Sequence, residues 1–239
     1  MENLSDNTQI SLEEIRGNYL RICENISDAA AKTGRRDKPR LMAVTKTVPP
    51  ERVNYAIGLG VDLLGENRVQ EFMDKRESYS PAEVHFIGAL QSNKVKYIID
   101  KVSMIHSVDN LRLAEEINRR AEQHGLVMDI LTEINIGGEE TKSGVSAEQA
   151  EEFCWRLAEM RNVRLRGLMC IPPPNCAESM FAQMRELYGR LKSELEKRDN
   201  PCFDTLSMGM SGDYETAIKY GATIVRIGSG LFGYRKYLK

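Results

Sequence analysis

The feature that most constrains the fold is a regular alternation of apolar, strand-like runs with amphipathic, helix-like stretches along nearly the whole chain. Continuous apolar strands joined through helices are typical of a parallel sheet that is covered on both faces. Eight βα units favour closure into a (β/α)8 TIM barrel, an α/β fold, and a doubly wound open sheet is the alternative. The strand-like runs are 41–45, 62–66, 84–90, 104–108, 129–135, 165–171, 205–209 and 223–228.

A helix is expected before the first strand. Ser11 and Glu14 have the spacing of a capping box, and Gly34 provides a stop signal. Apolar residues then recur at helical spacing, and they are Ile15, Tyr19, Ile22 and Ile26. The chain of 239 residues suits one barrel, so we expect a single domain over residues 1–239, with an N-terminal helix preceding the barrel.

Composition excludes several classes of protein. The formal net charge of −2 gives no basic surplus for nucleic acid, and no apolar run approaches the roughly 18 residues that span a membrane. The polar N-terminus lacks the pattern of a secretory signal, and the three histidines are too scattered to predict a metal site. An odd number of cysteines without CxxC spacing predicts reduced thiols and a cytoplasmic protein. The cysteines are Cys23, Cys154, Cys170, Cys176 and Cys202.

Two loops rich in glycine and serine follow the last two predicted strands, at 207–213 and 226–233. In a barrel these loops meet at the C-terminal face, where phosphate groups commonly bind. Free backbone N–H groups and the hydroxyls of Ser211 and Ser229 suit such an anion. A single loop of this kind would be read only as a tight turn, but two adjacent loops favour a phosphate site.

Lys46 stands directly after the apolar run of the first strand. Desolvation at the barrel mouth and a nearby cation such as Arg226 would lower its pKa and allow a Schiff base with a carbonyl group. The alternative is a lysine that only extends from the rim into water. A phosphate site with a Schiff-base lysine describes a sugar-phosphate aldolase or a pyridoxal 5′-phosphate (PLP) protein. The aldolase would carry its lysine on strand 6, and that strand has none.

Arg226 lies in the last strand, two residues before the glycine loop. An inward guanidinium would donate to a pyridine nitrogen and keep that nitrogen unprotonated, which implies weak carbanion stabilisation. The alternative is an outward arginine that pairs with a helix carboxylate.

Seven ordered motifs resemble the pyridoxal phosphate homeostasis protein family, also known as the YggS/PROSC or PLPBP family, from about Leu41 to the C-terminus. They are AVTK, GENRVQE, HFIGALQSNK, INIGGEETKSG, RGLMCIP, LSMGMSGD and VRIGSGLFG. The resemblance implies a barrel similar to the N-terminal domain of alanine racemase. Thr45 and Ser229 depart from the residues common in the family, but both keep a hydroxyl.

The resemblance also implies a cofactor site. PLP would form a Schiff base with Lys46, its phosphate would lie near the two glycine loops, and Arg226 would face the pyridine nitrogen. Asn67 and Met208 would lie near the ring. The cofactor-binding residues that we expect are Lys46, Asn67, Met208, Ser211, Gly212, Arg226, Gly228 and Ser229.

Three functions follow from this pattern. The first is a monomeric PLP-binding protein without dedicated turnover, which buffers PLP or delivers it to PLP-dependent apoenzymes. Lys142 is a candidate transient acceptor of the cofactor, although a solvated loop lysine is the favoured interpretation. The second is a weak amino-acid racemase with Lys46 as its only base, since the chain ends at Lys239, before the second domain that carries a two-base racemase's other base. The third is a regulatory interaction protein for which PLP is only a ligand.

Overall fold

The computed structural model describes residues 10–34, 37–139, 141–173, 177–198 and 202–233. Its eight strands form one closed parallel barrel in which each strand pairs with the next and β8 pairs with β1. The strands are β1 (Arg40–Val44), β2 (Leu63–Glu66), β3 (Glu83–Phe86), β4 (Met104–Val108), β5 (Met128–Ile134), β6 (Val163–Cys170), β7 (Thr205–Ser207) and β8 (Ile224–Ile227). The prediction of a TIM barrel is confirmed.

Helices follow the strands and cover the outside of the barrel. They are α1 (Leu12–Lys32), α2 (Pro50–Leu59), α3 (Val69–Lys75), α4 (Val95–Ile98), α5 (Leu111–Gln123), α6 (Ala150–Ala158), α7 (Ala177–Glu196), α8 (Tyr214–Lys219) and α9 (Ser229–Phe232). The short helices α3, α4 and α9 were not predicted from the sequence. Within the described residues, no helix is both long enough and apolar enough to cross a membrane.

Helix α1 begins as predicted. The Ser11 hydroxyl accepts the backbone N–H of Glu14, and the Glu14 carboxylate accepts the backbone N–H of Ser11. The helix packs on α8 and α9, where the Asn25 side chain donates to the Tyr214 hydroxyl at 2.8 Å. The N-terminal helix therefore supports the two short helices that follow the last two barrel strands.

The core has two layers. Successive strand residues point to opposite faces, and the outward set packs with the helices in one large hydrophobic cluster. Two smaller clusters fill the barrel interior, and they are Met42, Val44, Leu63, Ile87 and Ile224 on one side and Met104, Leu131 and Met169 on the other. The interior also contains polar side chains, which is unusual because branched apolar residues dominate the inside of most TIM barrels.

A bulge interrupts the pairing of β5 with β6. Ile130 is opposite Leu165, whereas Leu131 is opposite Gly167, so Arg166 is an extra residue. Arg166 bonds Asp129 at 2.5 Å and Asp204 at 2.6 Å. The bulge thus lets Arg166 of β6 link Asp129 of β5 with Asp204, the residue before β7.

Four of the five cysteines lie in the described residues, and they are free thiols, as expected: Cys23, Cys154, Cys170 and Cys202. Cys176 lies outside the described residues. Burial raises the pKa of both Cys154 and Cys170 to about 12, so neither is a reactive thiolate at neutral pH. The described part of the chain holds no cluster of three metal-ligating side chains.

Candidate functional site at the C-terminal face of the barrel

Lys46 is half-buried and follows the last residues of β1. The residue before it, Thr45, is fully buried and donates its hydroxyl to Glu66 at 2.7 Å. The residue after it, Thr47, donates its backbone N–H to the carboxylate of Glu71. Both acids belong to the GENRVQE motif, so this motif fixes the backbone on either side of Lys46.

The turn at Thr47 is strained. Its φ is 61°, in the left-handed region that β-branched residues rarely adopt. Such a conformation costs about 1–3 kcal/mol and persists only where neighbouring contacts enforce it. Burial raises the pKa of Glu71, but contacts with the Lys75 ammonium and the Thr47 N–H outweigh this effect and lower it. An ionised Glu71 therefore holds the turn that presents Lys46.

Glu66 differs from Glu71 in the direction of its pKa shift. Burial raises the pKa of this carboxyl, even though the Thr45 and Tyr79 hydroxyls both donate to its Oε1 atom at 2.7 Å. Its Oε2 atom is buried without a partner among the described residues.

Arg226 points into the barrel, so the outward alternative is wrong. Its side chain is 3% exposed, and it donates to the Ser207 hydroxyl at 2.8 Å and to the Cys170 carbonyl at 2.9 Å. In the described residues no carboxylate lies within 4.0 Å of its guanidinium. Burying a cation that no carboxylate contacts directly costs several kcal/mol. Two of the five N–H groups of a guanidinium are used in these contacts, which leaves three further donors.

The two glycine loops meet beside the end of β1. The Ser211 and Ser229 hydroxyls are 3.4 Å apart, and the backbone N–H of Gly230 donates to Ser211 at 3.0 Å. A Cβ atom at Gly228 would lie 3.4 Å from the Cβ of Val44, two residues before Lys46. The loops and Lys46 therefore share one edge of the barrel.

The remaining expected residues differ in their surroundings. Gly212 is exposed, with open space around its Cα. Asn67 is half-buried directly after β2, and its carbonyl lies so close to Gly88 that a Cβ there would be 2.0 Å away. Met208 is fully buried, and its side chain packs in the helix-facing core instead of the barrel interior. Any contact of Met208 with a ligand in the barrel mouth would come from its main chain.

Sequence reasoning missed several polar groups of the barrel interior. Glu133 on β5 accepts from Ser143 at 3.0 Å, and burial raises the pKa of its carboxyl. His85 on β3 is in hydrogen-bond contact with His106 on β4. His106 could have been recognised from the sequence, because it is a histidine in the middle of a predicted strand, and all five residues of that strand are buried.

Lys142 is partly exposed and forms an ion pair with Glu139. This surrounding fits the interpretation of a solvated loop lysine. Lys94 lies 5.6 Å from the centre of the Tyr97 ring. Neither lysine shares the edge of the barrel that carries the two glycine loops.

Comparison with known proteins places the chain in a family. The model of the alanine racemase N-terminal domain matches residues 18–236. The pyridoxal phosphate homeostasis protein of Aquifex aeolicus is 46% identical over 224 residues, which cover 91% of this chain and 96% of that protein. The chain belongs to the pyridoxal phosphate homeostasis protein family.

Solved structures support the same placement. A crystal structure from Bifidobacterium adolescentis has a TM-score of 0.86 and 34% identity, and it covers 97% of this chain and 100% of that chain. PipY of Synechococcus elongatus, solved with PLP bound, has a TM-score of 0.73 and 30% identity over 87% of this chain and 100% of its own. Both solved proteins therefore share the fold of this chain at 30% identity or more.

Proposed function

We propose that this protein binds PLP as a Schiff base with Lys46 and serves PLP homeostasis by buffering or delivering the cofactor, without a dedicated catalytic reaction. The family supports this proposal, because its members are named for pyridoxal phosphate homeostasis and PipY was solved with PLP bound. PLP supplies an aldehyde that condenses with amines and a ring that withdraws electrons.

The observation that carries the proposal is the buried guanidinium of Arg226. It is a permanent cation whose contacts are a hydroxyl and a carbonyl, with no carboxylate within 4.0 Å in the described residues. A guanidinium can only donate hydrogen bonds. It therefore suits an unprotonated pyridine nitrogen, and an unprotonated ring is a weak electron sink. The site thus favours holding PLP over reacting through it.

The other expected residues would bind the phosphate and the ring of PLP. Ser211, Gly212, Gly228 and Ser229 would bind the phosphate through hydroxyl and backbone N–H groups, since such groups at tight turns suit an anion. Asn67 would lie beside the ring, and Met208 would contribute through its main chain. The strained turn at Thr47 would keep the Lys46 amine oriented towards the barrel mouth.

An absorbance spectrum with and without borohydride tests the Schiff base. Wild-type protein given PLP should show a visible band that borohydride removes, and mass spectrometry should locate the reduced adduct on Lys46. The Lys46→Ala variant should lose both the band and the adduct. Lys142→Ala is the matched control, since Lys142 is a partly exposed lysine paired with Glu139. Absence of the band in wild type would overturn PLP binding, and an adduct on another lysine would overturn the role of Lys46.

Two further assays separate a carrier from an enzyme. Transfer of PLP to an apoenzyme, measured by recovery of that enzyme's activity, is expected from the wild-type protein. Racemisation of alanine, measured by chiral chromatography, is expected to stay at the level of Lys46→Ala. Measurable wild-type turnover without transfer would replace the carrier by a weak racemase. Sedimentation in the analytical ultracentrifuge checks the prediction of a monomer.

A further inference from the structure

A chain of hydrogen bonds crosses the interior of the barrel from β3 to β8. Glu83 Oε1 is 2.8 Å from His85 Nε2, and His85 Nδ1 is 2.9 Å from His106 Nε2. His106 Nδ1 is 3.1 Å from the Ser207 hydroxyl, which accepts from Arg226 at 2.8 Å. Five side chains from four strands are thereby linked in one row.

When each imidazole carries one proton, the direction of every hydrogen bond in this row follows from its two ends. Arg226 can only donate, and the carboxylate of Glu83 can only accept. His85 must therefore carry its proton on Nε2, which leaves Nδ1 to accept from His106 Nε2–H. His106 Nδ1 then accepts the Ser207 hydroxyl proton, and the Ser207 oxygen accepts from Arg226. In this arrangement each imidazole carries one proton, and all the donors point from Arg226 towards Glu83.

The far end of the row is held by two further groups. Arg40 donates to Glu83 Oε2 at 2.7 Å, and the Ser103 hydroxyl donates to Glu83 Oε1 at 3.0 Å. Arg40 also pairs with Asp62 at 3.4 Å. The hydrogen bond from His85, followed by that from Arg40, lowers the pKa of Glu83 to about 2. The row thus ends on a carboxylate that is ionised at neutral pH.

Three of the four side chains that precede Arg226 in the row are almost completely buried, with exposures of 1% for His85, 0% for His106 and 0% for Ser207. Buried polar networks stabilise a fold less than well-packed apolar residues of similar size. The same positions in most barrels hold branched apolar side chains. A polar network at these positions therefore indicates a functional role. The row reaches the C-terminal part of the barrel through Arg226.

We propose that Glu83, His85, His106 and Ser207 are positioning residues that orient Arg226 and relay the charge of Glu83 to it, so that Arg226 donates to the ring of bound PLP. This inference rests on the proposed function. Hydrogen bonds in a chain polarise one another, so the carboxylate makes the Ser207 oxygen a better acceptor. That acceptor fixes one amino group of Arg226 and offsets part of the cost of burying a guanidinium that no carboxylate contacts directly.

Glu83→Gln tests the relay because it should exchange donor and acceptor in each hydrogen bond between residue 83 and Ser207. The amide oxygen is expected to face the donor Arg40, which turns the amide N–H towards His85. His85 then accepts at Nε2 and donates from Nδ1, and His106 likewise becomes protonated on Nδ1. Long-range ¹H–¹⁵N spectra of histidine-labelled protein report these tautomers directly without cofactor. The exposed His124 is the internal reference.

Two binding measurements test the link to the cofactor. Glu83→Gln and Ser207→Ala should each weaken PLP binding by about tenfold and shift the absorption band of the bound cofactor, while borohydride still attaches PLP to Lys46. Met169→Leu is the matched control, since Met169 also fills the barrel interior but lies outside the row. It should keep the wild-type affinity and band.

The outcomes are distinct. Failure of wild type to bind PLP would overturn the proposed function and, with it, the role of the row towards the cofactor. Normal PLP binding by wild type with unchanged affinity and band in both variants would overturn the relay alone. Retention of the Nε2 tautomers in Glu83→Gln would overturn the transmission of charge along the row.

Discussion

The imidazoles of His85 and His106 meet inside the barrel, with Nδ1 of His85 2.9 Å from Nε2 of His106 and the ring centres 5.0 Å apart. Only one proton fits between these two nitrogens. An additional proton on His106 would place a cationic ring next to the buried Arg226. Burial, followed by electrostatic interaction with His85 and Arg226, lowers the pKa of His106 well below its usual value of 6.5.

This depressed pKa predicts a loss of stability on acidification. In the folded state His106 stays neutral, whereas in the unfolded state it takes up a proton as the pH falls through 6.5. The unfolded chain then binds more protons, so the free energy of unfolding falls by about 1 kcal/mol between pH 6.5 and 5.5. Chemical unfolding at several pH values measures this slope.

The His106→Gln variant should remove that part of the slope, even if its overall stability is lower. His124→Gln, at an exposed position, is the control and should retain the wild-type slope. An unchanged slope in His106→Gln would show that His106 is protonated equally in the folded and unfolded states.

Glu71 is expected to hold the turn that presents Lys46. Glu71→Ala removes the acceptor of the Thr47 N–H, so this amide should exchange with solvent at least tenfold faster in hydrogen-exchange NMR. Loss of a hydrogen bond to a charged acceptor should also lower the free energy of unfolding by about 1.5–3 kcal/mol.

Glu77→Ala is a suitable comparison, because Glu77 is an exposed acid of the same region that pairs with Arg76. It should change neither the exchange of Thr47 nor the stability by more than about 0.5 kcal/mol. Equal exchange of Thr47 in wild type and Glu71→Ala would contradict the role of Glu71.

The eight strands were predictable from the sequence because each is an apolar run, and the structure moves most of their boundaries by only one or two residues. The largest differences have local causes. Strand β3 ends at Phe86 instead of 90, since Gly88 already lies against the Asn67 backbone. Strand β6 begins at Val163 instead of 165, because the charged Arg164 interrupts the apolar run from which the strand was predicted.

The contacts inside the site were less predictable. Arg226 was recognised as a candidate, but its inward direction could not be derived from strand alternation alone. The row from Glu83 to Arg226 joins His106 to Ser207 across 101 positions of sequence. Such a pairing depends on barrel closure and on register, and a single sequence contains neither.

Gly167 should be among the glycines least tolerant of substitution. Its φ is +151°, and a Cβ atom there would lie 1.7 Å from the Thr205 carbonyl oxygen. Gly167→Ala should therefore separate β6 from β7 and cost about 3 kcal/mol in thermal or chemical unfolding. Gly189→Ala, on helix α7 with open space around it, should instead stabilise the protein by about 0.5–1 kcal/mol. Similar unfolding curves for the two variants would contradict the close approach of the two strands.

The phosphate loops can be tested by comparing two ligands. Ser211→Ala removes a hydroxyl that the proposal assigns to the phosphate of PLP, so PLP should bind about tenfold to a hundredfold more weakly, as expected for one hydrogen bond to a charged group. Pyridoxal has the same ring and aldehyde but no phosphate, so its affinity should be the same for Ser211→Ala and wild type. Ser193→Ala, at an exposed position on helix α7, should bind both ligands as wild type does. Equal weakening of PLP and pyridoxal by Ser211→Ala would mean that Ser211 supports the ring or Lys46, and the phosphate would then have to bind elsewhere on the barrel.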